Sequence, residues 1–129
     1  MILPANSGNL GWRPVVTKNV PRICGNAIRP LFEKFVNGTR KIRIDPHQFD
    51  WAFHPGGLAV LESVRQNLKL EMRHLRESYD VYAEHGNSSS PTVISILERM
   101  RRAKDGQQSV IACAPGPGVN VEMILLTRC

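Results

Sequence analysis

No apolar run in this sequence approaches the roughly 18 residues that a membrane-spanning helix needs, so a membrane protein of the helical kind is not expected. The opening MILPANSGNL has no basic region followed by a long apolar core, and a secretory leader is not read there. The expectation is a soluble, cytoplasmic protein. Cysteine is scarce: Cys24, Cys113 and Cys129 are odd in number and form no CxxC pair, which argues against a disulfide framework and fits a reducing compartment. Cys24 in an amphipathic segment and Cys113 in an apolar run read as small buried hydrophobes. His47, His54, His74 and His85 lack the spacings and acidic companions of a zinc site, so no metal and no resident cofactor are expected. A phosphate-cradling glycine loop, a serine nucleophile elbow, internal repeats and low-complexity stretches are all missing. Aromatics make up 6% of the chain and are not interleaved with its basic residues. Thus the net charge of +6 comes without a nucleic-acid motif. Its densest cluster, Arg99, Arg101, Arg102 and Lys104, falls on the last turns of a predicted helix, where cations suit the macrodipole and read as a solvated helix end.

What is present is enough for one domain spanning residues 1–129, with 42% hydrophobic and 22% charged residues. Residues 1–13 carry no period and read as irregular. PVVTKNV, 14–20, predicts a short β-branched strand. Pro21 then suits a helix start, with Ile23, Ala27, Ile28, Leu31 and Phe35 at helical spacing up to Gly38. Residues 39–50 read as a polar connection into a strand WAFH. Leu58, Leu61, Val64 and Leu68 mark a second helix. A third runs from Arg73 to Glu84, with Leu75, Tyr79 and Tyr82 inward and Gly86 as its left-handed cap. Ser90 and Pro91 signal the start of a fourth, whose buried stripe is Val93, Ile94, Leu97 and Met100. Strands 108–114 and 119–126 close the chain around PGPG, a hairpin signal. Mixed strands and helices predict an α/β or α+β domain, a sheet covered by helices.

Two corners hold candidate chemistry. In WAFHPGGLAV, His54 leaves an apolar strand at its carboxyl end, the edge where open α/β sheets bind ligands. Pro55 withholds an N–H and the two glycines allow close approach by another molecule. A histidine that merely ends a strand reads the same way on spacing alone. Asn87 lies in HGNSSSP between two helix ends, where asparagine also serves as a plain turn residue. Together the two side chains form a candidate pair of hydrogen-bond donors for a developing oxyanion. The loop APGPGVNVEM is either a simple hairpin turn or a wall of the same cavity.

In this order the segments WAFHPGGLAVLESV, HGNSSSPTVISILERMR and APGPGVNVEMILL resemble the carboxyl-terminal half of chalcone and stilbene synthases, the type III polyketide synthases. GWRPVVTKNVP is similar to the segment that opens that half. The resemblance runs from about residue 10 to 127. It implies a thiolase-like fold of two similar halves, each a mixed sheet with helices. It further implies an acyltransferase that condenses malonyl-CoA units onto an acyl-CoA starter through a Cys–His–Asn set. His54 and Asn87 match the histidine and asparagine, which would hold the thioester carbonyl and stabilise the enolate formed on decarboxylation. Ser89, Gly116, Pro117 and Gly118 match positions lining the cavity, and Ala59 a place near the CoA arm. CoA thioesters would be substrates. Expected partners are a second copy or the amino-terminal half, with neither nucleic acid nor membrane.

The sequence departs from that pattern in three places. The half bearing the nucleophile is absent, and none of Cys24, Cys113 or Cys129 aligns with it. Pro14 falls where many plant members carry a gatekeeping phenylalanine. Ser88 and Pro115 replace residues usually apolar in plant members, which leans towards the fungal or bacterial branch. Beside the acyltransferase reading stand an inactive remnant that binds acyl-CoA or pairs with a full-length synthase and, last, a basic nucleic-acid binder.

Overall fold

A computed structural model describes residues 2–8, 11–38, 44–116, 118 and 120–129. The described elements are β1 (Ile2–Gly8), β2 (Gly11–Val16), α1 (Val20–Asn37), β3 (Asp50–Phe53), α2 (Leu58–Leu68), α3 (Arg76–His85), α4 (Pro91–Arg102), β4 (Ser109–Pro115) and β5 (Val121–Thr127). Short 3₁₀ turns, Pro46–Gln48 and Met72–Leu75, precede β3 and α3. β3 and β4 pair in parallel and β4 and β5 antiparallel, giving a mixed three-stranded sheet in the order β3-β4-β5. β1 and β2 form a separate antiparallel ribbon. The domain is therefore α/β with a mixed sheet and helices on both faces, as the sequence pattern predicts.

α1 and α2 cover one face and α4 the other, while α3 lies along the edge of β3, with Tyr79 and Tyr82 against the core of the first face and Val81 in that of the second. Cys24, Ile28 and Phe32 of α1, with Leu61, Val64 and Leu68 of α2, pack on Trp51, Phe53, Ile111 and Cys113. Ile96 and Met100 of α4 and Val81 of α3 pack on Ala52, Val110 and Ala112. Alternation along the strands sends odd and even residues to opposite covers, so β3 is buried at every position and, after Asp50, reads as the apolar run Trp51, Ala52 and Phe53.

Several local expectations change. The stretch 1–13 is not irregular: Gly8 pairs with Gly11 and Ile2 with Val16, because a ladder of backbone groups needs no side-chain period. The strand expected over 14–20 ends at Val16, and Val20 already belongs to α1. On α1 the buried stripe is Val20, Cys24, Ile28, Phe32 and Val36, about one residue round from the expected stripe, with Phe35 exposed. Both stripes have helical spacing, and tertiary packing selects between them. In α2, Val60 replaces Leu58 in the core. The predicted third helix begins as the 3₁₀ turn and becomes α-helical at Arg76. Ser90 is itself in helical conformation and its side chain caps nothing. Instead the Thr92 hydroxyl accepts a hydrogen bond from the Ser88 N–H at 3.0 Å, and Thr92, not Ile94, enters the core. Of the connection 39–50, residues 39–43 lie outside the described residues. Asp45 caps the turn that follows, its carboxylate accepting from the His47 N–H at 2.9 Å.

Candidate active site

His54 is the first residue beyond β3, and the chain fixes its backbone firmly. Its N–H donates to the Cys113 carbonyl at 2.8 Å, continuing the parallel ladder by one bond, and its own carbonyl accepts from the Gly56 N–H at 3.0 Å. That second bond is a three-residue turn about Pro55, which points the chain away from the sheet and into α2. The Gly57 carbonyl then accepts from Val60 and Leu61 and starts that helix. On its other edge β3 has no strand neighbour among the described residues. Ser78 of α3 occupies that edge: its hydroxyl accepts from the Phe53 N–H at 3.0 Å and donates to the Trp51 carbonyl at 3.2 Å. A fully buried serine thus completes the hydrogen bonding of the strand immediately before His54. The sequence reading missed this residue. RESYD places a small hydroxyl on the inward face with Leu75 and Tyr82, and that was the available signal.

The His54 imidazole is half-buried, and desolvation pushes its pKa below the ordinary value, favouring the neutral ring. A neutral imidazole keeps one N–H to donate, which suffices for a contact to an oxyanion.

Asn87 reaches the same end of the sheet by topology. The carbonyls of Met100 and Ala103, at the end of α4, bind the Arg128 guanidinium, whose backbone N–H donates to Gln108 beside the start of β4. The 12-residue α4 rises roughly 18 Å, so it runs back along β4 and its amino end lies towards the carboxyl ends of β3 and β4. Gly86, at φ +66° and ψ −157°, takes a conformation essentially closed to other residues and turns the chain out of α3. Asn87 follows, exposed, with its Oδ1 accepting from the Ser89 N–H at 2.9 Å. Among the described residues its amide nitrogen makes no hydrogen bond. Ser89 has φ +63°, uncommon for a residue with a Cβ, and is exposed.

The β4–β5 connection occupies that end too, closed by the Gly116 N–H donating to the Asn120 carbonyl at 2.6 Å, with Gly118 at φ +77°. Pro117 lies outside the described residues. Ala59 is exposed in the first turn of α2. The fold therefore gathers His54, Asn87, Ser89, Gly116 and Gly118 at one edge, with no bond between the His54 and Asn87 side chains.

The remaining candidates resolve differently. Burial raises the thiol pKa of both Cys24 and Cys113, so neither is an activated nucleophile; Cys129 is exposed. The basic cluster on α4 is largely paired: Arg99 with Glu84 at 2.7 Å, and Arg101 and Arg102 each with Glu98 at 2.7 Å. These two guanidiniums hold the Glu98 carboxyl down at about 2. No helix among the described residues is long and apolar enough to cross a membrane. A cavity of about 290 Å³ opens at the opposite end of the sheet, between Asp50, Arg73, Arg76, Glu77 and Asp105. Its Arg76 is shared by Glu77 at 2.7 Å and Asp105 at 2.8 Å, so its charges answer one another.

Comparison with known proteins fits this geometry. Residues 7–129 match the model of the carboxyl-terminal domain of chalcone and stilbene synthases. The chain is 37% identical to the type III polyketide synthase pspB of Penicillium soppii, over 92% of this chain and 33% of that protein. It is 31% identical to the acylalkylpyrone synthase csyB of Aspergillus oryzae, over 95% of this chain and again 33% of the relative. It thus spans about a third of the length of these curated relatives. Among solved structures, the fungal type III polyketide synthase ORAS superposes with a TM-score of 0.86 at 34% identity, covering 98% of this chain and 36% of that one. A pentaketide synthase from Neurospora crassa gives 0.85 at 34% identity, covering 98% and 37%. With its thiolase-like fold, the chain belongs to the chalcone and stilbene synthase family of type III polyketide synthases, through the carboxyl-terminal domain.

Proposed function

We propose that this domain supplies the histidine and asparagine of a type III polyketide synthase, and that it turns over with the cysteine-bearing remainder of that fold. The neutral His54 imidazole N–H and the Asn87 amide N–H would both donate to the thioester oxygen of malonyl-CoA. The bond to the terminal carboxylate breaks, carbon dioxide leaves, and the electron pair becomes an enolate whose negative oxygen the two donors stabilise. The enolate carbon then attacks the acyl thioester held on the cysteine, and the thiolate leaves. Ser89, Gly116 and Gly118 would border the cavity for the growing chain. Ala59 would lie along the CoA approach. The solved structure of CsyB complexed with CoA-SH, at 29% identity and a TM-score of 0.87, supports CoA thioesters as the substrate class.

The observation that carries this reading is the placement of His54, the Asn87 loop and the β4–β5 connection at one sheet edge, in a chain whose own buried cysteines are not activated. Its test combines the chain with the separately produced remaining two thirds of pspB, an acyl-CoA starter and malonyl-CoA, and measures condensation products by mass. Products that disappear with His54→Ala are expected. An assembled pair that retains CoA binding yet makes no product refutes the reading and leaves an acyl-CoA-binding remnant.

A further inference from the structure

One helix grips both sides of the His54 corner and then runs on to Asn87. Ser78 of α3 fills the outer edge of β3 just before His54, accepting from the Phe53 N–H at 3.0 Å and donating to the Trp51 carbonyl at 3.2 Å. The next residue holds the other side of the corner. The Tyr79 hydroxyl donates at 3.0 Å to the carboxylate of Glu62, in the second turn of the helix that leaves the His54 turn. Glu62 is an acceptor throughout the neutral range, because Arg65, Gln66 and Tyr79 together hold its carboxyl at about 2. The strand entering the corner and the helix leaving it are thus tied to adjacent residues of α3. From Ser78 to His85 that helix rises about 10 Å, and the Gly86 N–H closes it on the Tyr82 carbonyl at 2.8 Å. Asn87 comes next. Beyond it the Ser88 N–H is fixed on the Thr92 hydroxyl at 3.0 Å, so its loop is anchored on both sides.

We infer that α3 is the brace that sets the separation of His54 from Asn87, with Ser78 and Tyr79 as its positioning residues. The inference rests on the reading that the two side chains share one oxyanion, and it adds the element that holds them in register. Two donors on separate corners stabilise one oxygen only if their spacing is set before charge appears; a pair that must rearrange loses the benefit of preorganisation. The His54 and Asn87 side chains make no bond to each other, so their spacing has to come from the frame. On the β4 side the sheet fixes His54 through the Cys113 carbonyl. The other side of β3 has no strand neighbour among the described residues, and there Ser78 supplies the bonds a strand would make. Among the described residues, α3 is the helix whose side chains bond both segments flanking His54, and its end is continuous with the Asn87 loop. Ser78 acts through the backbone of β3, and Tyr79 through α2.

The test follows carbon dioxide release from malonyl-CoA by the chain complemented with the separately produced remaining two thirds of pspB. Ser78→Ala should lower kcat about tenfold and leave KM within about twofold, because a displaced donor loses contact with the transition state more than with the substrate. Ser78→Thr keeps the hydroxyl and should restore most of the rate. Tyr79→Phe keeps the ring in the core, loses only the bond to Glu62, and should lower kcat by about threefold. Val36→Ala, which opens a core cavity on α1, is the control for lost stability and should leave kcat of the folded enzyme unchanged. In the labelled chain within the complex, the resonances of the His54 ring and the Asn87 side-chain amide should move together in Ser78→Ala and stay in place in Val36→Ala. Rates for both α3 variants within about twofold of the parent overturn the inference, as do a His54 ring that shifts alone and a control that slows equally. If Ser78→Ala does not assemble, Tyr79→Phe carries the test by the same criteria. A parent pair that releases no carbon dioxide, or a His54→Ala pair as fast as the parent, sinks the catalytic reading instead, and the paired resonances alone then decide the brace.

Discussion

Replacing Arg128 by methionine is expected to destabilise the domain by about 3 kcal/mol, although the residue lies one place from the end of the chain. Its guanidinium makes four contacts: Nε donates to the Gln107 carbonyl at 2.8 Å, Nη1 to Met100 at 2.5 Å and Ala103 at 3.2 Å, and Nη2 to the Asp50 carboxylate at 3.2 Å. These join the end of α4, the entry to β4 and the first residue of β3. Asp50 is 7% exposed, and its other bond is from the Gln107 N–H at 2.7 Å. Methionine keeps the stem but leaves a buried carboxylate short of its cation and three carbonyls without their donor. Breaking a buried pair from one side costs about 3–5 kcal/mol. The low end applies because the Arg128 side chain is 20% exposed and water can reach part of the gap. For a chain of this size, about 3 kcal/mol corresponds to a fall of about 12 °C in Tm. Urea unfolding at pH 7, monitored by tryptophan fluorescence, should show a lower midpoint with an unchanged slope. In a double-mutant cycle with Asp50→Asn, the combined loss should fall short of the sum by more than 1 kcal/mol, because the two share one interaction. A loss within about 0.5 kcal/mol of zero for Arg128→Met, typical of an ordinary surface change, would refute the clamp.

Ser78→Ala should cost about 1–3 kcal/mol by leaving the Phe53 N–H and the Trp51 carbonyl unpaired in the core. In the complemented enzyme it should also lower turnover, with Ser78→Thr recovering part; unchanged amide exchange at Phe53 would contradict this. His54 should titrate below the ordinary value of about 6.5, since burial disfavours its charged form. The unfolded chain then binds more protons, so this residue's effect on stability is nil well above pH 6.5 and becomes a loss as the pH falls through that value and the folded pKa. A pH series of unfolding on the parent and His54→Gln measures it, and equal acid sensitivity of the two would count against the burial.

The elements were legible in the sequence where one residue type left few options. Pro91, the period of α2 and the paired Pro-Gly steps each marked a boundary to within a few residues, and WAFHPGG placed His54 correctly at a strand end. What was not legible depends on tertiary choice. Two stripes on α1 have the same spacing, and only tertiary packing, which sets Phe32 against Phe49 and Trp51, buries it and leaves Phe35 outside. Ile94 and Thr92 compete for the core side of α4, and the polar residue wins because its hydroxyl also satisfies the Ser88 N–H. The ribbon β1–β2 is written in backbone pairing, without a side-chain period. At the site, the residue types offered His54 and Asn87 only as candidates, whereas the common end of the sheet that they share follows from the antiparallel run of α4 along β4. For Ser78 the sequence shows a small hydroxyl on an inward helix face but not its role, because its partners are main-chain groups 25 and 27 residues away.

The most direct test of the catalytic account is the release of carbon dioxide from malonyl-CoA by the chain complemented with the remainder of the fold, compared among parent, His54→Ala and Asn87→Ala. If the two side chains share one developing oxyanion, each substitution should slow release by roughly 10²–10³, the usual effect of removing one such donor. Release within a few-fold of the parent in both variants, with the complex intact, would contradict the account.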